Sequence, residues 1–115
     1  MKIALASDHG GFALKEKIKE YLGSLPVEYI DLGTDSEDSV DYPDYGKLCA
    51  AEVASGRADR GIVVCGTGIG ISIAANRNKA IRCALVTNEF MAEMSRKHND
   101  ANMLALGGRV LSVEE

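Results

Sequence analysis

The sequence predicts an α/β protein, a Rossmann-like three-layer α/β/α sandwich built on a five-stranded parallel sheet. Segments with the apolar pattern of strands alternate with segments of helical periodicity, and this alternation continues to a fifth strand. The central strand is a continuous apolar run, typical of a parallel strand covered on both faces. The 115 residues contain no repeat, linker or low-complexity segment, so we expect one domain over residues 1–115. Right-handed crossovers then bring the carboxyl ends of all strands to one edge, where ligands bind in such folds.

Each element follows from a local pattern in the chain. The strands are predicted at residues 2–7, 27–32, 62–65, 80–86 and 103–106. The first helix should end near Gly23, and its apolar residues recur at helical spacing: Leu14, Ile18, Tyr21 and Leu22. Its charged residues are assigned to the exposed face: Lys15, Glu16, Lys17, Lys19 and Glu20. The second helix runs to about Ser55, the third follows the glycines after Cys65, and the fourth begins near Asn88.

The chain is organised around residues 61–77, where a buried strand ends in Cys65 and glycines follow at positions 66, 68 and 70. Glycines allow close backbone approach and direct several N–H groups at one point, and the following helix adds partial positive charge. An anion or a developing oxyanion is the natural ligand for such a turn. Cys65 faces the helix N-terminus and is a candidate reactive thiol. The other two cysteines, Cys49 and Cys83, are interpreted as small buried hydrophobic residues.

Other interpretations of this turn were weighed against the anion site. Many glycine-rich turns only close a strand-to-helix corner, and that interpretation stays open. A P-loop is excluded, because no glycine–lysine pair followed by Ser or Thr occurs at the required spacing. The dinucleotide fingerprint is not matched either, since the glycines alternate with single residues and residues 86–88 offer no acidic group for a ribose hydroxyl.

Further candidate residues follow the first strand and precede the second helix. Asp8 and His9 come directly after the first strand, and therefore belong to the same sheet edge as Cys65. Asp8 could instead be a helix N-cap, and His9 an ordinary surface histidine. Tyr42 ends a long acidic loop, from which its phenol could reach over the site.

The composition limits the classes of partner. A net charge of −4 argues against nucleic acid and anionic membranes, which need a basic face. The chain has no apolar stretch of membrane-spanning length and opens directly into a strand, without the architecture of a signal peptide. Three cysteines without metal-type spacing predict reduced thiols, no metal site and a cytoplasmic location.

Four motifs in order give the chain a specific resemblance: Asp8-His9-Gly10-Gly11, Asp41-Tyr42-Pro43, Cys65-Gly66-Thr67-Gly68-Ile69-Gly70 and Ser95-Arg96-Lys97-His98-Asn99-Asp100-Ala101-Asn102. Over essentially all 115 residues it resembles the type B ribose-5-phosphate isomerases and their relatives that isomerise galactose 6-phosphate and allose 6-phosphate. The resemblance implies strand order 2-1-3-5-4 and a homodimer, or a dimer of dimers. It also implies interconversion of an aldose phosphate and its ketose without a metal or organic cofactor.

The resemblance also implies roles for individual residues. Cys65 matches the base that removes the substrate C2 proton, and His98 matches the residue that opens the sugar ring. Substrate-binding positions are implied at Asp8, His9, Tyr42, Gly66, Thr67, Gly68, Ile69, Gly70, Asn99 and Arg109, with Thr67 a catalytic candidate as well. Arg109 and His98 would reach the neighbouring subunit's site, and Cys65, Asp8 and Asn99 would come from the first subunit.

One departure from the family pattern concerns the end of the sequence. The family normally continues through a further helix to two more arginines that help to hold the phosphate, whereas this sequence ends at Glu115. Either the chain is truncated or its phosphate affinity is reduced.

The residues fit isomerase chemistry independently of the resemblance. Moving a carbonyl from C1 to C2 generates an enediolate, whose charge the amides of the glycine turn can stabilise. A thiolate at a helix N-terminus can relay the proton, and a histidine can serve ring opening because it titrates near neutral pH. Two alternatives remain: a hexose-6-phosphate isomerase, and a phosphosugar-binding domain without turnover.

Overall fold

A computed structural model describes residues 1–112; residues 113–115, at the end of the expected domain, lie outside the described residues. Five strands alternate with four helices through this part of the chain. In order the elements are β1 (Lys2–Ser7), α1 (Phe12–Gly23), β2 (Glu28–Asp31), α2 (Tyr42–Ala54), β3 (Arg60–Cys65), α3 (Ile69–Asn76), β4 (Cys83–Leu85), α4 (Glu89–Lys97) and β5 (Met103–Gly107). The predicted alternation of strands and helices is confirmed.

The strands form one parallel sheet of order β2-β1-β3-β5-β4, as the family resemblance implied. In the register, Leu5 pairs with Ile62, and Ile62 pairs with Leu104. Along the chain, α1 leads from β1 outward to β2, α2 and α3 lead in the opposite direction to β3 and then β4, and α4 leads back to β5. Right-handed crossovers therefore place α1 and α4 on one face of the sheet and α2 and α3 on the other. The three-layer α/β/α architecture is confirmed.

The main hydrophobic core lies between the sheet and the α2–α3 layer. Small residues such as Ala4 and Ala50 let the helices approach the sheet, and Val63, Ile71 and Met103 fill the space between them. Each of these side chains is almost fully removed from water, and burial of one Val, Ile or Met side chain stabilises the fold by about 1.5–3 kcal/mol. The core therefore holds the carboxyl ends of β3 and β5 in a fixed position.

The exposed face predicted for α1 is wrong at Lys15, whose side chain is fully buried. Its Nζ lies 2.6 Å from Asp31 Oδ1 on β2 and 5.4 Å from the centroid of the Phe12 ring. Asp31 also accepts from Lys19 Nζ at 2.8 Å. A buried charge needs a partner, and helical periodicity carries no information about a carboxylate on a neighbouring strand. Tyr21, predicted on the apolar face, is instead 65% exposed.

Two element boundaries also differ from the prediction. β4 contains only three residues, Cys83–Leu85, because residues 80–82 belong to the turn before it, where Ile81 N–H donates to the Asn78 carbonyl. Helix α2 already begins at Tyr42, with Pro43 in its first turn, where the missing N–H of proline costs nothing. Helix α4 begins as expected, because the Asn88 side chain accepts from the Met91 N–H at 2.8 Å.

Among residues 1–112, no helix is long and apolar enough to span a bilayer.

Candidate active site

Three loops meet at the carboxyl edge of the sheet, following β1, β3 and β5. Backbone hydrogen bonds join them: Asp8 N–H donates to the Val64 carbonyl at 3.1 Å, and Gly108 N–H donates to the Cys65 carbonyl at 2.8 Å. Arg109 N–H donates to the Gly66 carbonyl at 2.9 Å. The loop after the central strand is therefore held on both sides by its neighbours, and its amides are fixed before any ligand arrives.

Glycine is required at two points of this junction. A Cβ on Gly11 would lie 2.4 Å from the Val64 carbonyl oxygen, so a side chain there would push the first loop away from β3. Gly68 has a φ of +84°, the left-handed region that favours glycine, and it is the N-cap of α3. The glycines thus set the close approach of the loops and the direction in which α3 leaves the sheet.

Cys65 lies at the centre of this junction and is 5% exposed. Its Sγ accepts a hydrogen bond from the Gly68 N–H at 3.1 Å, just ahead of the first turn of α3. An N–H donor and a helix N-terminus both stabilise negative charge on an adjacent atom. The neighbouring Thr67 Oγ1 accepts from the Ile69 N–H at 3.2 Å, which orders the same turn.

The other two thiols have a different environment. Burial, with a smaller effect from the nearby Cys83, raises the pKa of Cys49 to about 12, and burial raises the pKa of Cys83 to about 12. Both belong to the hydrophobic core between the sheet and α2–α3. They are neutral hydrophobic residues at physiological pH, as the sequence predicted.

Asp8 is 7% exposed and braces the first loop. Its Oδ1 accepts from the Gly10 N–H at 2.9 Å and from the Gly11 N–H at 3.1 Å. The N-cap position of α1 is Gly11, so Asp8 caps the turn before the helix and not the helix itself. Among the described residues its Oδ2 has no hydrogen-bond partner, which leaves one carboxylate oxygen available to a ligand.

His9 and Tyr42 flank the junction on the side of α2. His9 is half-buried, and its Nδ1 accepts a hydrogen bond from the Val40 N–H at 3.1 Å. The Tyr42 ring lies against Gly70, since a Cβ built on that glycine would be 2.7 Å from the ring carbon Cε1. Gly70 therefore makes room for the phenol beside the start of α3.

Arg109 lies at the same edge of its own chain, beside the glycine turn that follows Cys65. A Cβ built on Gly66 would lie 3.3 Å from the guanidinium Nη1 of Arg109 in the same chain, so the guanidinium packs against this glycine. The backbone explains this position, because β5 ends at Gly107, beside Cys65, and the chain turns directly across the glycine loop. The full positive charge of Arg109 is thus on the same side as Cys65 and Asp8 of the same chain.

His98 and Asn99 lie at the opposite edge of the sheet, and for Asn99 this differs from the expected grouping with Cys65 and Asp8. Helix α4 runs back from the carboxyl edge, and His98 is its C-cap. Asn99 O accepts from Arg82 Nε beside the start of β4, and Asn102 O accepts from the Gly61 N–H at the start of β3. Asn99 therefore groups with His98 and not with Cys65 and Asp8.

The separation between these two groups follows from the sheet register. Gly61 pairs with Met103, and four residues further along Cys65 pairs with Gly107. At the rise of a parallel strand, four residues correspond to about 13 Å. The chain therefore brings Asp8, His9, Tyr42, the glycine turn and Arg109 around Cys65, whereas His98 and Asn99 face away from it.

Sequence reasoning missed one group at the site, the backbone N–H of Val40. No sequence signal could have indicated it, because every residue except proline carries this donor. Residues 1–112 contain no group of three or more His, Cys, Asp or Glu side chains arranged to hold a metal ion.

Comparison with known proteins places the chain in a family. Residues 3–115 match the model of the Ribose/Galactose Isomerase family. Ribose-5-phosphate isomerase B of Escherichia coli (strain K12) is 49% identical over 113 residues, covering 98% of this chain and 76% of that protein. The structure of Clostridium thermocellum ribose-5-phosphate isomerase B is 57% identical, with a TM-score of 0.98 over 99% of this chain and 77% of that one.

A second structure was determined with a sugar phosphate. Ribose-5-phosphate isomerase B of Mycoplasma genitalium, with bound ribulose-5-phosphate, is 40% identical, with a TM-score of 0.94 over 99% of this chain and 76% of that one. The chain thus spans about three quarters of the length of each of these relatives. By the family model, the identity and the fold, the chain belongs to the ribose/galactose isomerase family.

Proposed function

We propose that this chain is an aldose–ketose isomerase that interconverts ribose 5-phosphate and ribulose 5-phosphate. The observation that carries the proposal is the Cys65 thiol, held by the Gly68 N–H inside a glycine turn at the carboxyl edge. A domain that only binds a phosphosugar has no need of a thiol in that position. The names of the E. coli and C. thermocellum relatives, and the ribulose-5-phosphate bound to the M. genitalium protein, support the choice of substrate.

The proposed chemistry is a proton transfer between C2 and C1. The Cys65 thiolate removes the C2 proton of the open-chain aldose, and the electron pair moves to the C1 carbonyl oxygen to give an enediolate. Within the turn, the Gly68 N–H is bonded to Cys65 Sγ and the Ile69 N–H to Thr67 Oγ1, so the amides of Gly66, Thr67 and Gly70 are the ones assigned to the developing negative charge. The hydroxyl proton on O2 then passes to O1, the Cys65 thiol returns its proton to C1, and the C2–O bond becomes the ketose carbonyl. The thiolate is restored, so the cycle consumes no cofactor.

Binding of the phosphate needs positive charge, which the glycine turn supplies only as partial charges. Arg109 adds a full charge beside Gly66. We assign Asp8 Oδ2 to a sugar hydroxyl, and His9 and the Tyr42 phenol to sugar hydroxyls or phosphate oxygens. Asp8 and His9 follow β1, on the side of β3 opposite β5, and the Tyr42 ring lies against Gly70 of the glycine turn. Thr67 orders the turn.

Opening of the sugar ring is assigned to His98. Because His98 and Cys65 lie at opposite sheet edges of one chain, this assignment requires a second subunit. Helix α3 begins at the glycine turn and ends at Asn76, whose side chain exchanges two hydrogen bonds with the Cys83 backbone at the start of β4. Its eight residues span about 12 Å, close to the distance between the Cys65 edge and the His98 edge.

The exposed face of α3 offers the contact for such a dimer. Ile69 and Ile73, one turn apart, are 53% and 55% exposed. Two copies packed antiparallel through this face would place the carboxyl edge of one subunit beside the amino edge of its partner. Each site would then combine Cys65 and Arg109 of one chain with the partner's His98 and Asn99.

The three unpaired cysteines are in keeping with a cytoplasmic enzyme, and we include a cytoplasmic location in the proposal.

The test is to incubate the protein with ribose 5-phosphate, allose 6-phosphate and galactose 6-phosphate and to follow ketose formation. We expect turnover with ribose 5-phosphate. Cys65→Ala should abolish turnover and the exchange of the C2 hydrogen with deuterated solvent, while substrate binding persists. Cys83→Ala, the same substitution in the core, is the matched control. Binding without turnover in the wild-type protein would instead indicate a phosphosugar-binding domain. Turnover of allose 6-phosphate or galactose 6-phosphate alone would change the assigned substrate from ribose 5-phosphate to that hexose phosphate.

A further inference from the structure

We propose that the backbone N–H of Val40 fixes the tautomer of His9, so that His9 presents a hydrogen-bond donor at Nε2 to the substrate and cannot act as the proton-abstracting base. The observation is the hydrogen bond from the Val40 N–H to His9 Nδ1, at 3.1 Å. The identity of the group that receives the Nε2 donor rests on the proposed function. The tautomer itself does not.

The chemistry of the two partners determines the direction of this hydrogen bond. A backbone N–H can only donate, so His9 Nδ1 must offer its lone pair. A neutral imidazole carries one proton, which must then be on Nε2. Among the described residues Nε2 has no hydrogen-bond partner, so its N–H is available to a ligand at the edge that Cys65 occupies.

The Val40 amide is held in place by the segment that carries it. At its start this segment is anchored to β1, where Ser7 N–H donates to the Gly33 carbonyl at 2.8 Å and Thr34 N–H donates to the Ser7 carbonyl at 2.9 Å. At its end the Tyr42 ring lies against Gly70. Since both ends are fixed to the carboxyl edge, Val40 approaches His9 from a defined direction.

This arrangement separates the roles of the two histidines. His9 has no free lone pair and can only donate, so it suits an anionic or hydroxyl oxygen of the substrate. Abstraction of the C2 proton is left to Cys65, and proton transfer in ring opening is left to His98. Val40 is a positioning residue, because it acts through the orientation of His9 and does not itself contact the substrate.

The direct test is the tautomer, read from long-range proton–nitrogen NMR spectra of the wild-type protein in alkaline buffer, where histidine is neutral. The chain contains only two histidines, and the spectrum of His9→Asn identifies the signals of the other. We expect His9 to carry its proton on Nε2. A proton on Nδ1, or rapid averaging between the two nitrogens, would overturn the proposal.

A pair of substitutions at position 40 tests the role of the donor. Val40→Pro removes the N–H, whereas Val40→Ala keeps it and is the matched control. Val40→Pro should show an averaged His9 tautomer and a KM raised about tenfold, the effect of losing one hydrogen bond to a charged group, with kcat changed much less. Val40→Ala should keep the wild-type tautomer and KM. A tautomer unaffected in folded Val40→Pro would contradict the proposal.

A second pair at position 9 does not depend on the folding of the proline variant. His9→Gln places an amide N–H close to the position of Nε2, whereas His9→Asn places it close to Nδ1. We therefore expect His9→Gln to keep KM within a few fold of wild type and His9→Asn to raise KM about tenfold or more. Loss of kcat in His9→Gln at unchanged KM would identify His9 as a base and overturn the proposal. An inactive wild-type protein with the Nε2–H tautomer would refute only the proposed function.

Discussion

A site shared between two subunits predicts that two inactive variants recover activity when mixed. Cys65→Ala removes the proposed base, and His98→Asn removes the proposed ring-opening residue. Within one chain these residues belong to opposite sheet edges, about 13 Å apart along the strands, which a histidine side chain does not span. Each variant alone should therefore be inactive, because both of its sites lack one essential group.

The expected recovery follows from counting sites. When equal amounts of the two variants exchange subunits at random, about half of the dimers are heterodimers, each with one complete site and one site lacking both groups, so activity should reach about a quarter of wild type. Ketose formation from ribose 5-phosphate gives the rate, and native mass spectrometry of isotope-labelled subunits gives the fraction of heterodimer.

A matched mixture tests the same geometry in the opposite direction. Wild-type protein exchanged with the Cys65→Ala/His98→Asn double variant forms heterodimers in which neither site is complete, so activity should fall to about half of that of unmixed wild type. If Cys65 and His98 served the same site from one chain, the first mixture would stay inactive and the second would lose nothing. Either result, with heterodimers demonstrated, would refute the composite site.

Three further predictions concern the metal, the thiols and the buried ion pair. Chelation should leave the isomerase rate unchanged, because amides can stabilise the oxyanion; a loss restored by zinc, manganese or magnesium would contradict this. In native Cys65→Ala, alkylating reagents at neutral pH should leave Cys49 and Cys83 unmodified until the protein unfolds, because burial raises both pKa values to about 12; rapid labelling would show that these thiols are accessible. Burial raises the pKa of Asp31, but hydrogen bonds from Lys15, Lys19 and Gly33 outweigh it, so the pKa lies below its usual 3.8 and the stabilisation should be lost as pH falls through the folded-state pKa. Lys15→Met should lower the free energy of unfolding at neutral pH by about 1–3 kcal/mol, less than for an isolated buried pair because Lys19 still contacts Asp31. The variant should also lose less stability than wild type as the pH is lowered, measured by urea titration at a series of acid pH values. The same loss of stability at acid pH in both proteins would argue against this ion pair.

The sequence by itself determined the order of the elements, the parallel sheet and the edge at which the site forms. These features depend on local patterns: apolar runs of strand length, helical spacing, and glycines directly after a buried strand. The special role of Cys65 among three cysteines also follows from its position next to those glycines. Membership of the family could be inferred from the sequence because four motifs occur in order along one chain.

The tertiary structure decided what depends on residues distant in sequence. Lys15 is buried because Asp31 lies across the α1–β2 contact, and the spacing of a helix cannot reveal that partner. His98 faces away from Cys65, and Arg109 lies beside it, because strand register and helix direction place α4 and β5. The donor at Val40 is a backbone group that every residue but proline possesses, so only the path of the loop brings it to His9. Local patterns specify elements and edges, whereas pairs of groups between elements exist only once the chain has folded.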